Sequence, residues 1–386
     1  MSAVRSPKTI RIATAVFFFI SGFGYTTWAS RIPSIQRELH LNEAQLGTAL
    51  FALPVGLLIT MPLTARLLRS YSSSRIMLLG ALYFSVMLGL LGYAVQYWQF
   101  ILVLFCFGSS RNLLNVSMNT DGVNVQGLYK KSIITTFHAI WSCAGFAGAA
   151  LSYFMVTFHV ITTWHLLSVS TTLVVLSVCF SPFTFKQKPL QLEKKPIFSL
   201  PDKTLINLAL ICFSSMACEN IMYDWSGIYM DKAVHATHVT ATAAFVIFMT
   251  TLTISRFAGD KIVSRYGVKL IMQYSGVFIV VGFLLAVLFP YVPTTIIGFG
   301  LVGIGTSCIV PLCFSEAGKS TTMAKGPAIA AVSTVGYFGF LVVPPMVGFV
   351  AQALNLRWSF AIITTLGAVI VWMASKVKIS PAKTSI

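Results

Sequence analysis

The chain has 386 residues, of which 56% are apolar types and only 10% are charged, against roughly 25% charged in an ordinary soluble domain. Such a balance makes the bilayer the solvent and excludes a soluble enzyme as the bulk of the chain. The net charge of +17 is no nucleic-acid footprint, because the basic residues punctuate apolar runs instead of lining one solvated face.

A span needs ~20 apolar residues to cross a ~30 Å hydrocarbon core, and charge-free segments of that order follow one another along the sequence. They are Ile12–Ser30, Ala44–Ala65, Ile76–Ser110, Ser132–Phe158, Val160–Phe185, Thr204–Cys218, Val239–Ser255, Leu270–Ser315, Gly326–Leu356 and Trp358–Ser375. The first follows basic residues, but it is long enough to span and lacks a small-residue cleavage site, so it is expected to be helix 1 and not a removed signal. Two segments are too long for one span. Ile76–Ser110 is expected to divide at Gln96-Tyr97-Trp98-Gln99 and Leu270–Ser315 at Pro290-Tyr291-Val292-Pro293, where prolines end helices and aromatics suit the interface. The result is twelve helices and no separate soluble domain.

Lys and Arg should concentrate on the cytoplasmic side. With the N-terminus placed inside, the outer loops keep only Arg31, Arg37, Lys232 and Arg357 of the 27 basic residues, while Arg111 and Arg256 fall within helices. The polar, proline-bearing stretch 186–203 then reads as a cytoplasmic linker between an N-terminal six-helix bundle, 1–185, and a C-terminal one, 204–386. An internal repeat supports that division, since Trp28 in helix 1 matches Trp225 in helix 7 and Tyr71 matches Tyr266. The seven cysteines lie in apolar stretches without CxxC or zinc-like spacing, and read as reduced packing residues. No metal or cofactor is expected, and no GxxxxGK[ST] loop is present to bind ATP.

The run from Arg256 to Lys269, with Arg256, Gly259, Asp260, Arg265 and Gly267, resembles the inner-loop gating signature of the major facilitator superfamily, although Ser264 stands where an Asp is common. Its first-half copy, Arg69 to Arg75, is degraded. Taken with the six-plus-six helices, the basic central loop and the repeat, the resemblance covers essentially the whole chain. It implies an all-α integral membrane fold of two pseudo-symmetric six-helix bundles. Within the superfamily, Trp28 to Pro33, Asn119 to Gly122, His138, Glu219 with Asp224-Trp225, Gly336-Tyr337 and Pro344-Pro345 look similar to a bacterial inner-membrane branch near the fucose-permease-like carriers. Arg111 and Asn115 depart from that branch.

Ionisable groups deep in a span are costly, ~2.5–3.5 kcal/mol on insertion scales, and mark ion or substrate paths. Glu219 falls near the middle of helix 7, with Asp224 closer to its outer end. Arg111 falls near the middle of helix 4, where Asn115 and Asn119 follow at i+4 and i+8 and Asn112 lies alongside. The resemblance implies that helices 1, 4, 7 and 10 line a cavity, which would aim Arg111 at Glu219 across the pathway. Glu219, Asp224 and His138 are the candidate proton-coupling groups. Arg111, Asn112, Asn115 and Asn119 are the candidate solute ligands, with Tyr25, Trp28, Trp141, Tyr223 and Trp225 as aromatic walls. Each has a plainer reading as well: a protonated structural Glu, an Arg locked to helix 7, or a packing His.

The sequence therefore reads as a non-enzymatic, proton-coupled secondary transporter, monomeric in a bacterial cytoplasmic membrane with both termini inside. It is expected to move a small polar anion, an organic carboxylate or carboxylate-bearing siderophore, by alternating access. Multidrug efflux, sugar uptake and a non-transporting membrane receptor or scaffold are the competing readings. The expected partners are the solute, protons and lipid, with no nucleic acid.

Overall fold

A computed structural model describes residues 6–131, 133–185 and 201–377. Most of the expected linker, 186–203, lies outside those residues. Twelve of the described helices are long and apolar enough to cross a membrane. They group into two compact units, Met1–Glu193 and Lys194–Ile386.

The first unit contains α1 (Pro7–Glu38), α2 (Glu43–Ser70), α3 (Ser73–Leu91), α4 (Tyr97–Gln126), α5 (Ile134–Thr157) and α6 (Thr162–Phe180). Local chemistry fixes several starts. Ser6 caps α1 by accepting from the Thr9 N–H at 3.2 Å, with Pro7 in the first turn, and Asn42 with Gln45 forms a capping box on α2. The long segment divides at Gly92–Gln96, next to the expected point, and Gln96 with Gln99 closes the start of α4.

The second unit contains α7 (Ile206–Lys232), α8 (His238–Tyr266), α9 (Val268–Leu288), α10 (Val292–Thr306), α11 (Ile309–Ala317), α12 (Lys325–Ala353) and α13 (Leu356–Lys376). Together α10 and α11 make one span, Val292–Ala317, interrupted at Ser307–Cys308. Pro311 marks that break: it has no N–H to give the Ser307 carbonyl four residues back. Gly267 joins α8 to α9 at φ 82°, in the left-handed region that costs glycine nothing.

The repeat inferred from Trp28 and Trp225 is visible in the packing. In the first unit α1 packs on α5 and α6, α4 on α2 and α3, and α3 on α6. In the second, α7 packs on α12 and α13, α10 on α8 and α9, and α9 on α13. The pattern is the same six spans later, and it makes α1 and α7 the most buried helices of their units. The outer-loop assignments are corrected: Arg37 and Arg31 lie in α1, Lys232 ends α7 and Arg357 falls in the first turn of α13, and of the four only Arg31 is buried. It is 3% exposed and donates from Nε to Nδ1 of His165 (2.9 Å) and from Nη2 to the Val160 carbonyl (2.8 Å). These acceptors on and beside α6 allow a guanidinium where charge alone suggested a loop.

Candidate functional site

Each unit carries one polar cluster at the centre of a span. In the first unit, Arg111 occupies the middle of α4, and its guanidinium carbon lies 3.8 Å from the centroid of the Tyr25 ring on α1. A cation over an aromatic face is held by the ring quadrupole, and more firmly when water is excluded. Among the described residues Arg111 makes no ion pair. One turn along α4, Asn115 accepts at Oδ1 from Ser21 Oγ (3.0 Å), and Ser21 in turn accepts from Trp141 Nε1 (3.2 Å). That chain is possible because Gly22 puts α1 against the backbone carbonyl of Trp141 on α5, leaving no room for a Cβ. With Oδ1 accepting from Ser21, the amide N–H groups of Asn115, one turn from Arg111 on α4, are the donors that its side chain has left to offer. Asn119 donates back to the Asn115 carbonyl at 2.8 Å. His138 is an exposed residue of α5 and meets Phe18 edge-on at 5.6 Å.

Three of the expected site residues are turned elsewhere. Asn112 is buried and donates to Thr64 (2.9 Å) and Thr60 (3.4 Å), tying α4 to α2. Trp28 is fully buried against Phe100 and Phe107, and Trp225 is likewise fully buried. The two repeat-related rings fill packing space in place of the solute wall expected of them, which suits the largest side chains on the most buried helices. Asp121 is also structural. Buried near the end of α4 and off the Arg111–Asn115–Asn119 stripe, it accepts from Thr14 (2.9 Å) and Ser73 (3.0 Å), joining α1 and α3 to α4.

In the second unit, Glu219 stands at the middle of α7, and Arg256 of α8 reaches it with Nη2 3.0 Å from Oε1. Arg256 also donates from Nε to the Ser307 carbonyl at 3.3 Å. That carbonyl lies at the break between α10 and α11, where an intrahelical partner is missing. The guanidinium thus joins a mid-span carboxylate to a helix interruption. Glu219, expected as the counter-charge of Arg111, is instead committed to a cation of its own unit. Asp224, one turn and a residue beyond, accepts from Asn220 at 3.0 Å. Tyr223 sits edge-on between Phe245 and Phe248, at 5.8 Å from each. Of the other signature residues, Gly259 packs against Cys308 Sγ and Arg265 lies over Tyr266 at 5.3 Å. Asp260 is a position of α8 whose side chain lies outside the described set.

Two participants escaped the sequence reading, Ser21 and the Ser307 carbonyl. Ser21 is an ordinary small residue on a buried helix face, and the Ser307 carbonyl is freed by Pro311, which has no N–H to bond it, a signal the sequence reading passed over. Among the described residues no group of three His, Cys, Asp or Glu side chains gathers as a metal site.

The family model of the Major Facilitator Superfamily matches residues 14–290 and 208–385. The chain belongs to the Major Facilitator Superfamily. It is 29% identical over 368 residues to the uncharacterized transporter y4wD of Sinorhizobium fredii, covering 94% of this chain and 97% of that one. An uncharacterized MFS-type transporter of Yersinia pestis is 26% identical over 364 residues, covering 94% of each, and membrane protein MosC of Rhizobium meliloti is 26% identical over 368 residues, 94% of this chain and 89% of that one. Among solved structures, the nucleoside transporter NupG superposes with a TM-score of 0.74 at 14% identity, covering 95% of this chain and 98% of that one. A bacterial homologue of the human lysosomal transporter Spinster gives 0.71 at 13% identity, covering 97% and 99%. At such identities these two structures establish the fold alone. The curated relatives are transporters or membrane proteins by description, and this chain is a multi-pass MFS transporter.

Proposed function

We propose that this superfamily member is a proton-coupled carrier of a small organic anion in a bacterial cytoplasmic membrane, with both termini inside, 1–185 and 204–386 as its transport bundles and 186–203 as the connecting linker. The observation that carries the reading is Arg111, a mid-span guanidinium stacked on Tyr25 and paired, among the described residues, to no carboxylate. A cation at that depth is expensive unless something compensates it, and the planar fork of arginine matches a carboxylate or phosphate two-pronged. Asn115 adds amide donors alongside, so the cluster is complementary to an acceptor-rich solute and poorly suited to a lipophilic cation. Tyr25 and Trp141 remain in the proposal as its aromatic neighbours, and Asn119 as the residue that steadies the Asn115 turn.

Proton coupling is assigned to Glu219. Protonating its carboxyl removes the charge that pairs with Arg256, whose guanidinium also donates to the Ser307 carbonyl, and so links a proton to the interruption in the tenth span. Discontinuous helices of this kind recur where transporters bind and move ions. Asp224 and His138 serve as accessory proton groups. The Arg256, Gly259, Asp260, Arg265 and Gly267 signature acts at the gate.

Because NupG carries nucleosides by its description, a neutral nucleoside is the second reading, favoured by fold likeness only. Reconstitution in liposomes with an imposed pH gradient separates the two. Uptake of organic carboxylates or phosphates that collapses with a protonophore supports the proposal, and uptake confined to nucleosides or sugars refutes it.

A further inference from the structure

The second unit carries a groove between α9 and α13 that the transport reading does not use. Gly276 and Gly367 bring the two backbones together: a Cβ on Gly276 would stand 2.9 Å from the Gly367 carbonyl oxygen, and one on Gly367 2.9 Å from Ile279 Cγ2. Beside that crossing the helices part and leave a groove of about 510 Å³, walled by Gln273, Val277 and Val280 of α9 and by Ala368, Val371 and Trp372 of α13. Its size is that of a ligand site, and Val277, Ala368 and Trp372 are exposed along its length. The lining is graded. Val280 and Ala368 close an apolar end, whereas Gln273, Trp372 and Ser375 stand at the other, near the start of α9 and the end of α13.

The polar end is also cationic. Lys376 Nζ lies 3.6 Å from the centroid of the Trp372 ring, and Lys269 precedes Gln273 by one turn on the same face of α9. Neither helix contains an Asp or Glu, and Ser375 returns its hydroxyl to the Trp372 carbonyl at 2.6 Å, so the two lysines set the charge of the mouth. From Lys376 to Ala368 the groove runs about 12 Å at 1.5 Å per residue, comparable to the ~15 Å of hydrocarbon in one leaflet. Tryptophan and lysine belong at the level of the headgroups, where a lysine attracts anionic lipid. A free anion would use the mouth and leave the apolar trough empty, whereas an anionic amphiphile matches both. We propose that the groove between α9 and α13 binds an anionic phospholipid, with its phosphate on Lys376 and Lys269 and one acyl chain along Val277, Val280, Val371 and Ala368. The orientation proposed above puts this lipid in the inner leaflet, but the preference for it depends neither on that orientation nor on the transported solute. The occupied groove braces α13, which also packs on α7.

The test places the purified full chain in phosphatidylcholine nanodiscs that contain a minor fraction of lipid brominated on its acyl chains, either phosphatidylglycerol or phosphatidylcholine. Bromine quenches tryptophan on contact, and the Trp372 signal is the difference between each chain and the same chain with Trp372→Phe. Brominated phosphatidylglycerol should quench Trp372 several-fold more strongly than brominated phosphatidylcholine at the same fraction. Lys269→Gln with Lys376→Gln should bring the two lipids level. Ala368→Phe fills the trough and keeps both lysines, and it should also reduce the advantage of phosphatidylglycerol; if it fails to fold, Val277→Phe fills the trough from α9 instead. Equal quenching by the two lipids in the unaltered chain overturns the proposal, as does an advantage that survives loss of both lysines. An advantage untouched by filling the trough overturns it too, because the headgroup would then be drawn to a basic surface with no seat for the chain.

Discussion

Arg256 stands 3.0 Å from Glu219 and 3.3 Å from the Ser307 carbonyl, so one side chain closes α8 onto α7 and onto the break in the tenth span. Removing one member of a buried pair is costly because the other charge stays behind. Arg256→Gln should destabilise the protein by about 3 kcal/mol, the low end of the usual range because the arginine is 26% exposed. The double variant Glu219→Gln with Arg256→Gln should recover part of that loss. Thermal melting of the four proteins in detergent measures the coupling, and strictly additive losses would mean that the pair contributes nothing.

Glu219→Gln also separates coupling from binding. With no titratable group at mid-helix, accumulation driven by a pH gradient should vanish while solute exchange across the membrane persists. Counterflow and gradient-driven uptake in the same liposomes read the two activities. Full gradient-driven uptake in the variant would remove Glu219 from the coupling step.

Gly22 sets the approach of α1 to α5, where a Cβ would run into the Trp141 carbonyl. Gly22→Ala should cost about 1–3 kcal/mol, as overpacking does in other cores, and should pull Ser21 away from Trp141. A melting temperature equal to wild type would show that the crossing gives way freely.

Asp202, just before α7, accepts from Thr204 Oγ1 (2.6 Å) and from Thr322 Oγ1 (2.5 Å) in the connection between α11 and α12. Hydrogen bonds from Thr204, then Thr322, draw its carboxyl down from 3.8 to about 2. A depressed carboxyl stabilises the fold above its unfolded value, and that contribution fades as the pH falls from about 4 through about 2. Asp202→Asn should therefore lower the melting temperature at pH 7, with the difference from wild type shrinking below pH 4. A difference independent of pH would show that the ionised form is not what Thr322 recognises.

The spans were legible because the relevant signals are local: charges and prolines at the ends of apolar runs, and caps such as Asn42 with Gln45. Arg111 and Glu219 were legible as mid-span charges for the same reason. Their partners were not. Arg256 lies 37 positions from Glu219, a separation that only helix packing closes, and the interruption at Ser307 is signalled only by Pro311, a single proline inside a long apolar run. Arg31 was misplaced because a loop rule reads every charge as an end, whereas His165 and the Val160 carbonyl accept this one inside α1. Trp28 and Asn112 have residue types that suit a ligand site, and only burial reveals that they are spent on packing.

Topology follows from the basic residues. Reporters fused after Lys195 and at the C-terminus should be cytoplasmic, and reporters at Lys232 and Tyr291 external. A cytoplasmic reporter at Lys232 would reverse the second bundle and contradict the orientation.

The most direct test of the account compares Arg111→Lys and Arg111→Gln with wild type for binding of an organic anion that stabilises the purified carrier. Lysine keeps the charge without the two-pronged fork, so it should bind weakly, and glutamine should bind no anion, with all three proteins melting cooperatively in its absence. Unchanged anion affinity in Arg111→Gln would contradict the account, leaving Arg111 as a structural cation held by Tyr25.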